Sequence, residues 1–281
     1  MPATSTPFRF NRRDLLKGAA AAGVGVATGS LAHGYLYERF HIALTRDTLA
    51  VSGLPAALSG LRLGLITDLH RSDTVSHEMV DRAVRLVMAE APDLVILGGD
   101  YVTWGDRRFV APVADALAPL SAPHGVYAVL GNHDDDRDMP AALVAKGFTV
   151  LRDARTRLVV RGETLDLAGI RYWTRRLSDV AHVLKGASPN VILLAHTPMR
   201  LIEAAALAVP LVLSGHTHGG QIVLPGVGAI AAREFPVVAG KARRESTAIF
   251  VSRGVGTVYL PVRLNCPPEV AILTLQPVDI S

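Results

Sequence analysis

Five times along this chain a short apolar run gives way to a polar cluster rich in ligating side chains. Leu61-Arg62-Leu63-Gly64-Leu65-Ile66-Thr67 ends in Asp68-Leu69-His70, Leu94-Val95-Ile96-Leu97 in Gly98-Gly99-Asp100, and Val126-Tyr127-Ala128-Val129-Leu130 in Gly131-Asn132-His133-Asp134. Val191-Ile192-Leu193-Leu194 then leads to Ala195-His196, and Val209-Pro210-Leu211-Val212-Leu213 to Ser214-Gly215-His216-Thr217-His218. Short apolar runs of this kind read as strands buried on both faces, the habit of parallel sheets covered by helices. Between the first two runs, Met79, Val80, Ala83, Val84, Val87 and Met88 recur at helical spacing behind a capping Ser76. The chain is therefore expected to be an α/β protein. Its clusters fall at the carboxyl ends of strands, where open α/β sheets bind ligands.

The rest of the chain fills in this frame. Residues 41–60 read as short strands with a proline-containing turn, at a sheet edge. Helices are expected over 109–117, 139–146 and 199–208, two or three antiparallel strands over 149–170, strand and loop over 222–255, and a closing strand over 269–275. No repeat, low-complexity tract or linker interrupts the body, so residues 41–281 are expected to form one domain.

The N-terminus has a different character. Phe10-Asn11-Arg12-Arg13-Asp14-Leu15-Leu16-Lys17 is followed by Gly18 to Tyr37 without an Asp, Glu, Lys or Arg. A charged head and an Ala/Gly-rich apolar stretch form the pattern of an export signal, and the paired arginines point to the twin-arginine route. The segment is similar to that route's consensus, Ser-Arg-Arg-x-Phe-Leu-Lys, with Asn11 and Leu15 as departures. About twenty uncharged residues also just suffice to span a bilayer, so residues 1–40 read as an export signal, with an uncleaved anchor as the alternative. Either reading puts the body in the periplasm or on the outer face of the cytoplasmic membrane, with the twin-arginine translocation machinery as a partner. The formal charge of +4 belongs mostly to this segment. It holds five Arg or Lys (Arg9, Arg12, Arg13, Lys17, Arg39) against Asp14 and Glu38, leaving the body near +1. A body so nearly neutral argues against a nucleic-acid partner.

The clusters define the chemistry. Asp68, His70, Asp100, Asn132, His196, His216 and His218 offer carboxylate, amide and imidazole donors, and Cys266 is the chain's one cysteine. Such a thiolate-free set suits Mn, Fe or Zn better than copper, calcium or magnesium. Seven side chains are too many for one ion and fit two that share a bridge. Two divalent or trivalent ions ~3.5–4 Å apart can hold a bridging hydroxide and clamp a phosphorus under attack, so phosphoester hydrolysis is the expected reaction.

The ordered set Asp-x-His, Gly-Gly-Asp, Gly-Asn-His-Asp, His and Gly-His-Thr-His resembles the calcineurin-like metallophosphoesterases over about residues 41–275. The resemblance implies a four-layer α-β-β-α sandwich with two mixed sheets between helices. It also implies that Asp68, His70 and His218 bind one metal, that Asp100 bridges, and that Asn132, His196 and His216 complete the other. His133 matches a family histidine that contacts phosphate and protonates the leaving oxygen, with Asp134 orienting it. The branch resembled acts on the cell envelope, which implies a phosphodiester or pyrophosphate substrate, whether a phosphorylated small molecule or a lipid or cell-wall phosphate. A phosphomonoesterase or nuclease on the same site, or a scaffold without activity, are the alternatives.

Other residues carry weaker signals. Arg71, Tyr101, Trp104, Trp173, Arg175 and Arg176 lie near strand ends or on loops, where surface or packing roles are commoner than substrate contacts. Arg263, in Pro261-Val262-Arg263, is balanced between packing and a place at the site. His33, His41, His77, His124 and His182 have no partner pattern and read as structural or solvated, and Cys266 as a partly buried side chain beside a proline pair.

Overall fold

A computed structural model describes residues 11–278. The first ten residues of the N-terminal segment, with Arg9 and Phe10, lie outside the described residues, as do 279–281. After the helix α1 (Arg12–Leu36) come β1 (Ala43–Val51), β2 (Arg62–Ile66), α2 (His77–Met88), β3 (Leu94–Leu97), α3 (Val110–Leu117) and β4 (Val126–Ala128). There follow α4 (Asp138–Ala145), β5 (Thr149–Val150), β6 (Ala154–Val160), β7 (Glu163–Ile170), α5 (Leu177–Leu184), β8 (Val191–Ala195), α6 (Leu201–Ala206) and β9 (Leu211–Ser214). A small hairpin of β10 (Val223–Leu224) and β11 (Gly228–Ala229), then β12 (Gly240–Arg244), β13 (Thr247–Val251) and β14 (Glu269–Pro277), complete the order.

Alternation along the apolar runs divides each strand between two neighbours, because successive side chains point to opposite faces. Leu63, Leu65, Leu94 and Ile96 meet Ile192, Leu194, Leu211 and Leu213 in one apolar layer between two sheets. Val95 and Leu97 face the other way, against Val80, Val84 and Val87 of α2 and Val113 and Leu117 of α3. Leu193 and Val212 likewise face Val180 of α5 and Leu201 and Ala204 of α6. Every central strand is thus covered on both sides, which is why its sequence is apolar throughout.

One sheet runs β1-β14-β2-β3-β4-β5 and the other β12-β13-β9-β8-β7-β6. Strands β2 to β5 are parallel, with β14 antiparallel to β2. In the second sheet β7, β8, β9 and β13 are parallel, and β6 and β12 are antiparallel edges. These are two mixed sheets with helices outside, the four-layer α-β-β-α arrangement. It sets the carboxyl ends of β2, β3, β4, β8 and β9 around one volume.

Three local expectations are corrected. Residues 41–60 hold one nine-residue strand, β1, which pairs in parallel with β14 from Ala43↔Glu269 to Val51↔Pro277. Residues 149–170 do not form one antiparallel set: β5 joins the first sheet beside β4, and only β6 and β7 form a hairpin, in the second. Local pattern cannot reveal such a crossover, since both segments alternate alike. Helix α5, with Leu177, Val180, Val183 and Leu184 at helical spacing, was not expected from the sequence.

The hairpin β6–β7 carries one buried charge. Asp166, with no exposed surface, accepts hydrogen bonds from Arg155 Nη1 at 2.8 Å, Arg157 Nε at 3.1 Å and the Ser188 backbone N–H. Burial alone would raise this carboxyl, but the arginines and Ser188 hold it down to about 2. Asp166→Ala is expected to lower unfolding free energy by about 2 kcal/mol in urea titrations with an unchanged slope. Because the folded pKa lies below the ordinary 3.8, the wild-type advantage is present above that pH and is lost as pH falls through about 2.

Candidate active site

Each ligand-bearing loop departs from its strand by a sharp turn. Asp68, His70, Asp100, His216 and His218 all have φ between 46° and 71°, the left-handed region that non-glycine residues rarely occupy. Each such residue costs about 1–2 kcal/mol, so the surrounding sheet ends must hold the loops in place. Close packing adds a demand for small residues. A Cβ on Gly215 would strike the carboxylate of Asp68 and the hydroxyl of Thr67, and one on Gly131 would strike Asp100. The loops therefore fit only because these two positions carry no side chain.

Two trios of donors result. Asp68, His70 and His218 place one ligand atom each within 4.8 Å of the others, and so do Asp100, His196 and His216. The trios touch: Asp100 Oδ2 lies 3.1 Å from His196 Nε2 and 3.5 Å from His70 Nε2, between the two groups. Asp68 Oδ1 lies 3.7 Å from His218 Nε2 and 3.8 Å from His196 Nε2. The seventh residue, Asn132, lines the same cavity, and its buried Oδ1 has no hydrogen-bond partner.

The protonation pattern suits three of the four imidazoles as they stand, and an ion bound through His196 Nε2 would displace the proton its carboxylate neighbours hold there. Burial pushes His70 down to about 4, His216 down to about 3 and His218 well below its ordinary value, so three imidazoles are neutral and offer lone pairs. Burial also disfavours charge on His196, but Asp100 and Asp68 outweigh it and hold that ring up at about 10. Asp68 is pushed up to about 6, chiefly by burial; Asp100, against the same penalty, is held well below the carboxylate range by His196 and His70. His70 Nε2 and His218 Nε2 stand 3.1 Å apart, and His216 Nδ1 and His196 Nε2 3.2 Å apart. Nitrogens bound at about 2.0–2.1 Å to one ion, at angles near 90–110°, stand about 2.9–3.4 Å apart. These spacings, the orphaned Asn132 oxygen and the oxygen and nitrogen donor set fit two metal ions.

Neighbouring groups aim the ligands. His196 Nδ1 donates to Gly98 O at 2.8 Å, leaving Nε2 for the centre. Thr67 Oγ1 donates to Asp68 Oδ2 at 2.7 Å, and the His216 N–H donates to Asp68 Oδ1 at 2.9 Å. His133 stands beside the trios and lines the cavity. Its Nδ1 accepts the Trp104 N–H at 3.1 Å, so the neutral ring carries its proton on Nε2, and burial lowers its pKa. The His133 ring meets His70 edge-on at 4.8 Å and packs on Trp104 at 4.3 Å.

Asp134 differs from its expected role. Among the described residues its carboxylate bonds are to backbone: the N–H groups of Asp100 at 2.7 Å, Tyr101 at 2.8 Å, Gly131 at 2.9 Å and, longer, Val102 at 3.4 Å. It braces the turns carrying Asp100 and Asn132, while Trp104 orients the His133 ring. Arg263 is also resolved: it is wholly buried behind His218, donating to the carbonyls of His218, Arg253 and Gly254. It ties the β9–β10 and β13–β14 connections together and does not line the cavity. Arg71 binds the Val75 carbonyl and covers Phe109, and Tyr101 is buried with its hydroxyl on Val129 O at 3.0 Å, both packing roles. Trp173, Arg175 and Arg176 lie on the β7–α5 segment outside the cavity, as do His33, His41, His77, His124 and His182 elsewhere. Cys266 is fully buried, with Sγ 3.2 Å from His218 O. Sequence reasoning missed Tyr172 and Phe235, whose rings each lie 5.2 Å from His216. No local pattern marks them, because they come from a loop and a surface segment far from the ligand in the chain.

A centre of this kind, built of carboxylate, amide and imidazole at strand ends with a proton-bearing histidine beside it, defines a metal-dependent hydrolase of phosphoric esters. Comparison with known proteins agrees: the calcineurin-like phosphoesterase family matches residues 61–220, and the chain belongs to that family. It is 32% identical to the uncharacterized metallophosphoesterase YkuE of Bacillus subtilis, over 95% of this chain and 98% of that protein. It is 32% identical to the phosphodiesterase YaeI of Escherichia coli, over 95% of this chain and 99% of that protein. A bovine transmembrane protein with a metallophosphoesterase domain is 30% identical over 83% of this chain and 57% of that protein.

Asp134→Ala is expected to weaken metal binding roughly tenfold to a hundredfold, as loss of a bracing partner does elsewhere. Competition with a chromophoric chelator measures it. Unchanged affinity with slower turnover would instead tie Asp134 to His133.

Proposed function

We propose that this protein cleaves a phosphodiester or pyrophosphate bond of a cell-envelope substrate, outside the cytoplasmic membrane. The observation that carries the reaction is His133, a neutral imidazole fixed with Nε2–H and set in the wall of the cavity that holds both ligand trios. The two ions would supply Lewis acidity and an activated water. Asp68, His70 and His218 would hold one ion, Asn132, His196 and His216 the other, and Asp100 both. The remaining steps fall to the chain. His133 Nε2 donates a hydrogen bond to a phosphoryl oxygen and passes its proton to the leaving oxygen, which shortens the lifetime of developing negative charge. Trp104 N–H keeps that proton on Nε2 by occupying Nδ1. Phe235 and Tyr172 flank His216 and restrict its motion.

The location rests on the N-terminal segment. Helix α1 has 25 residues, is uncharged from Gly18 on, and is exposed along nearly its whole length. Its uncharged part, Gly18 to Leu36, is about 28 Å long at 1.5 Å per residue, close to a hydrocarbon core of about 30 Å. Together with Arg12-Arg13 this supports twin-arginine export with the helix retained as an anchor.

Chelated protein reconstituted with Mn, Fe or Zn is expected to hydrolyse bis-p-nitrophenyl phosphate faster than p-nitrophenyl phosphate, and two ions per chain are expected by elemental analysis. Asp100→Asn and His133→Gln are each expected to lower kcat/KM by about 10²–10⁴. Metal-loaded protein inactive on both esters would overturn the reading. Replacing Arg12 and Arg13 by lysines is expected to leave the precursor in the cytoplasm on cell fractionation; export of that variant would exclude the twin-arginine route.

A further inference from the structure

The cavity that opens on the ligand trios has a volume of about 410 Å³ and two unlike ends. Its inner end is polar, formed by the metal-ligand side chains and His133. Its outer wall comes from two segments far apart in sequence, residues 220–235 and 258–260, and is built from Ile222, Ile230, Phe235, Val258 and Leu260 with Tyr259. Among the described residues no Lys or Arg lines it, and Glu234 is the one charged side chain on the outer wall. A substrate with several anionic groups, such as a nucleotide, would find no cation there beyond the metal centre and would face a carboxylate. A single phosphate joined to an apolar chain matches both ends.

The rim continues this apolar character. Ile230 is 53% exposed, Leu260 57%, Trp104 65% and Tyr259 79%, with the Trp104 and Tyr259 rings 5.4 Å apart. Aromatic side chains with polar edges, grouped with exposed aliphatics, suit the boundary between water and lipid. The route of α1 gives the rim a partner. Gly34, near the helix's end, is buried against Val262 and Arg263, and Gly34 O accepts the Arg263 N–H. The Glu38 carboxylate then accepts the N–H groups of Asn265 at 3.0 Å and Cys266 at 2.6 Å. The end of an exposed helix long enough to cross a bilayer is therefore clamped two to seven residues from Tyr259 and Leu260, on the same loop.

Resting on the phosphoesterase reading above, we infer that the substrate is a membrane-resident phosphodiester with an alkyl or acyl chain. Its phosphate lies at the ligand trios, its chain lies along Ile222, Ile230, Phe235, Val258 and Leu260, and the rim faces the bilayer that α1 crosses. Ile230 and Leu260 are the specificity-determining positions. Their side chains are half-exposed, so serine can replace either without opening the core.

The test uses the full chain in lipid nanodiscs, loaded with metal. With methyl, butyl and hexyl p-nitrophenyl phosphodiesters, kcat/KM is expected to rise roughly tenfold or more from methyl to hexyl, as buried methylenes leave water. Ile230→Ser and Leu260→Ser are expected to flatten that rise to within a few-fold. Phosphatidyl-p-nitrophenol in the disc is expected to be hydrolysed, and failure on it alongside a preference for the hexyl ester would overturn the bilayer source. Calorimetric titration provides a readout without turnover: hexylphosphonate is expected to bind roughly tenfold or more tightly than methylphosphonate, and the serine variants to lose the difference. Hydrolysis and binding both indifferent to chain length would overturn the inference and leave the phosphodiesterase reading standing. No hydrolysis of any diester with chain-dependent binding intact would do the reverse. A concentration-dependent dimer lost in the serine variants, with no chain-length effect, would assign the wall to a second copy of the chain.

Discussion

Two carboxylates, Asp68 and Asp100, are buried at the meeting of two sheets with no Lys or Arg in salt-bridge contact among the described residues. Burying charge without a partner is among the costliest things a fold can do. Asp68 and Asp100 draw a proton onto His196, while burial keeps His70, His216 and His218 neutral; an ion held by His196 Nε2 would take that proton's place as the counter-charge. A cation relieves what those three rings and the unpaired Asn132 oxygen leave unsatisfied. Fold and metal chemistry are thus one problem, because the ligands are held where only a positive ion completes their interactions.

Holding them requires strain in their own backbone. The left-handed turns at Asp68, His70, Asp100, His216 and His218 are individually unfavourable, and they persist because each follows a strand buried on both faces. Asp134 strengthens this by gathering the N–H groups of Asp100, Tyr101 and Gly131 onto one carboxylate, and Arg263 does so by gathering carbonyls from two loops. An anion collects donors on one side of the centre and a cation collects acceptors on the other. Both side chains act on backbone, so a change at either reaches the metal ligands through the position of their loops.

The second organising feature is the junction of α1 with the body. Glu38 and Gly34 clamp the helix end to residues 263–266, the loop that also supplies Arg263 behind His218 and Tyr259 and Leu260 at the cavity mouth. The end of the apolar helix, the support of His218 and part of the cavity wall therefore share one short segment.

The polar clusters at strand ends, whose side chains the fold brings to one cavity, the alternation of strand and helix and the apolar N-terminus were legible in the sequence because each is a local pattern. Apolar runs of strand length report burial on both faces, and ligating residues just beyond them report the carboxyl ends of strands. What could not be read was how segments distant in the chain meet. The placement of β5 in one sheet and β6 in the other, the turn of Asp134 from His133 toward backbone, and the withdrawal of Arg263 behind the site depend on which loops become neighbours. The apolar wall is the clearest case: Ile230 and Leu260 are thirty residues apart and unremarkable alone, and only the closure of two sheets into one sandwich sets them facing the same metal ligands. Sequence determines which groups a strand end will present, since that follows from a period of two. Tertiary structure decides what they face, since that follows from the packing of whole layers.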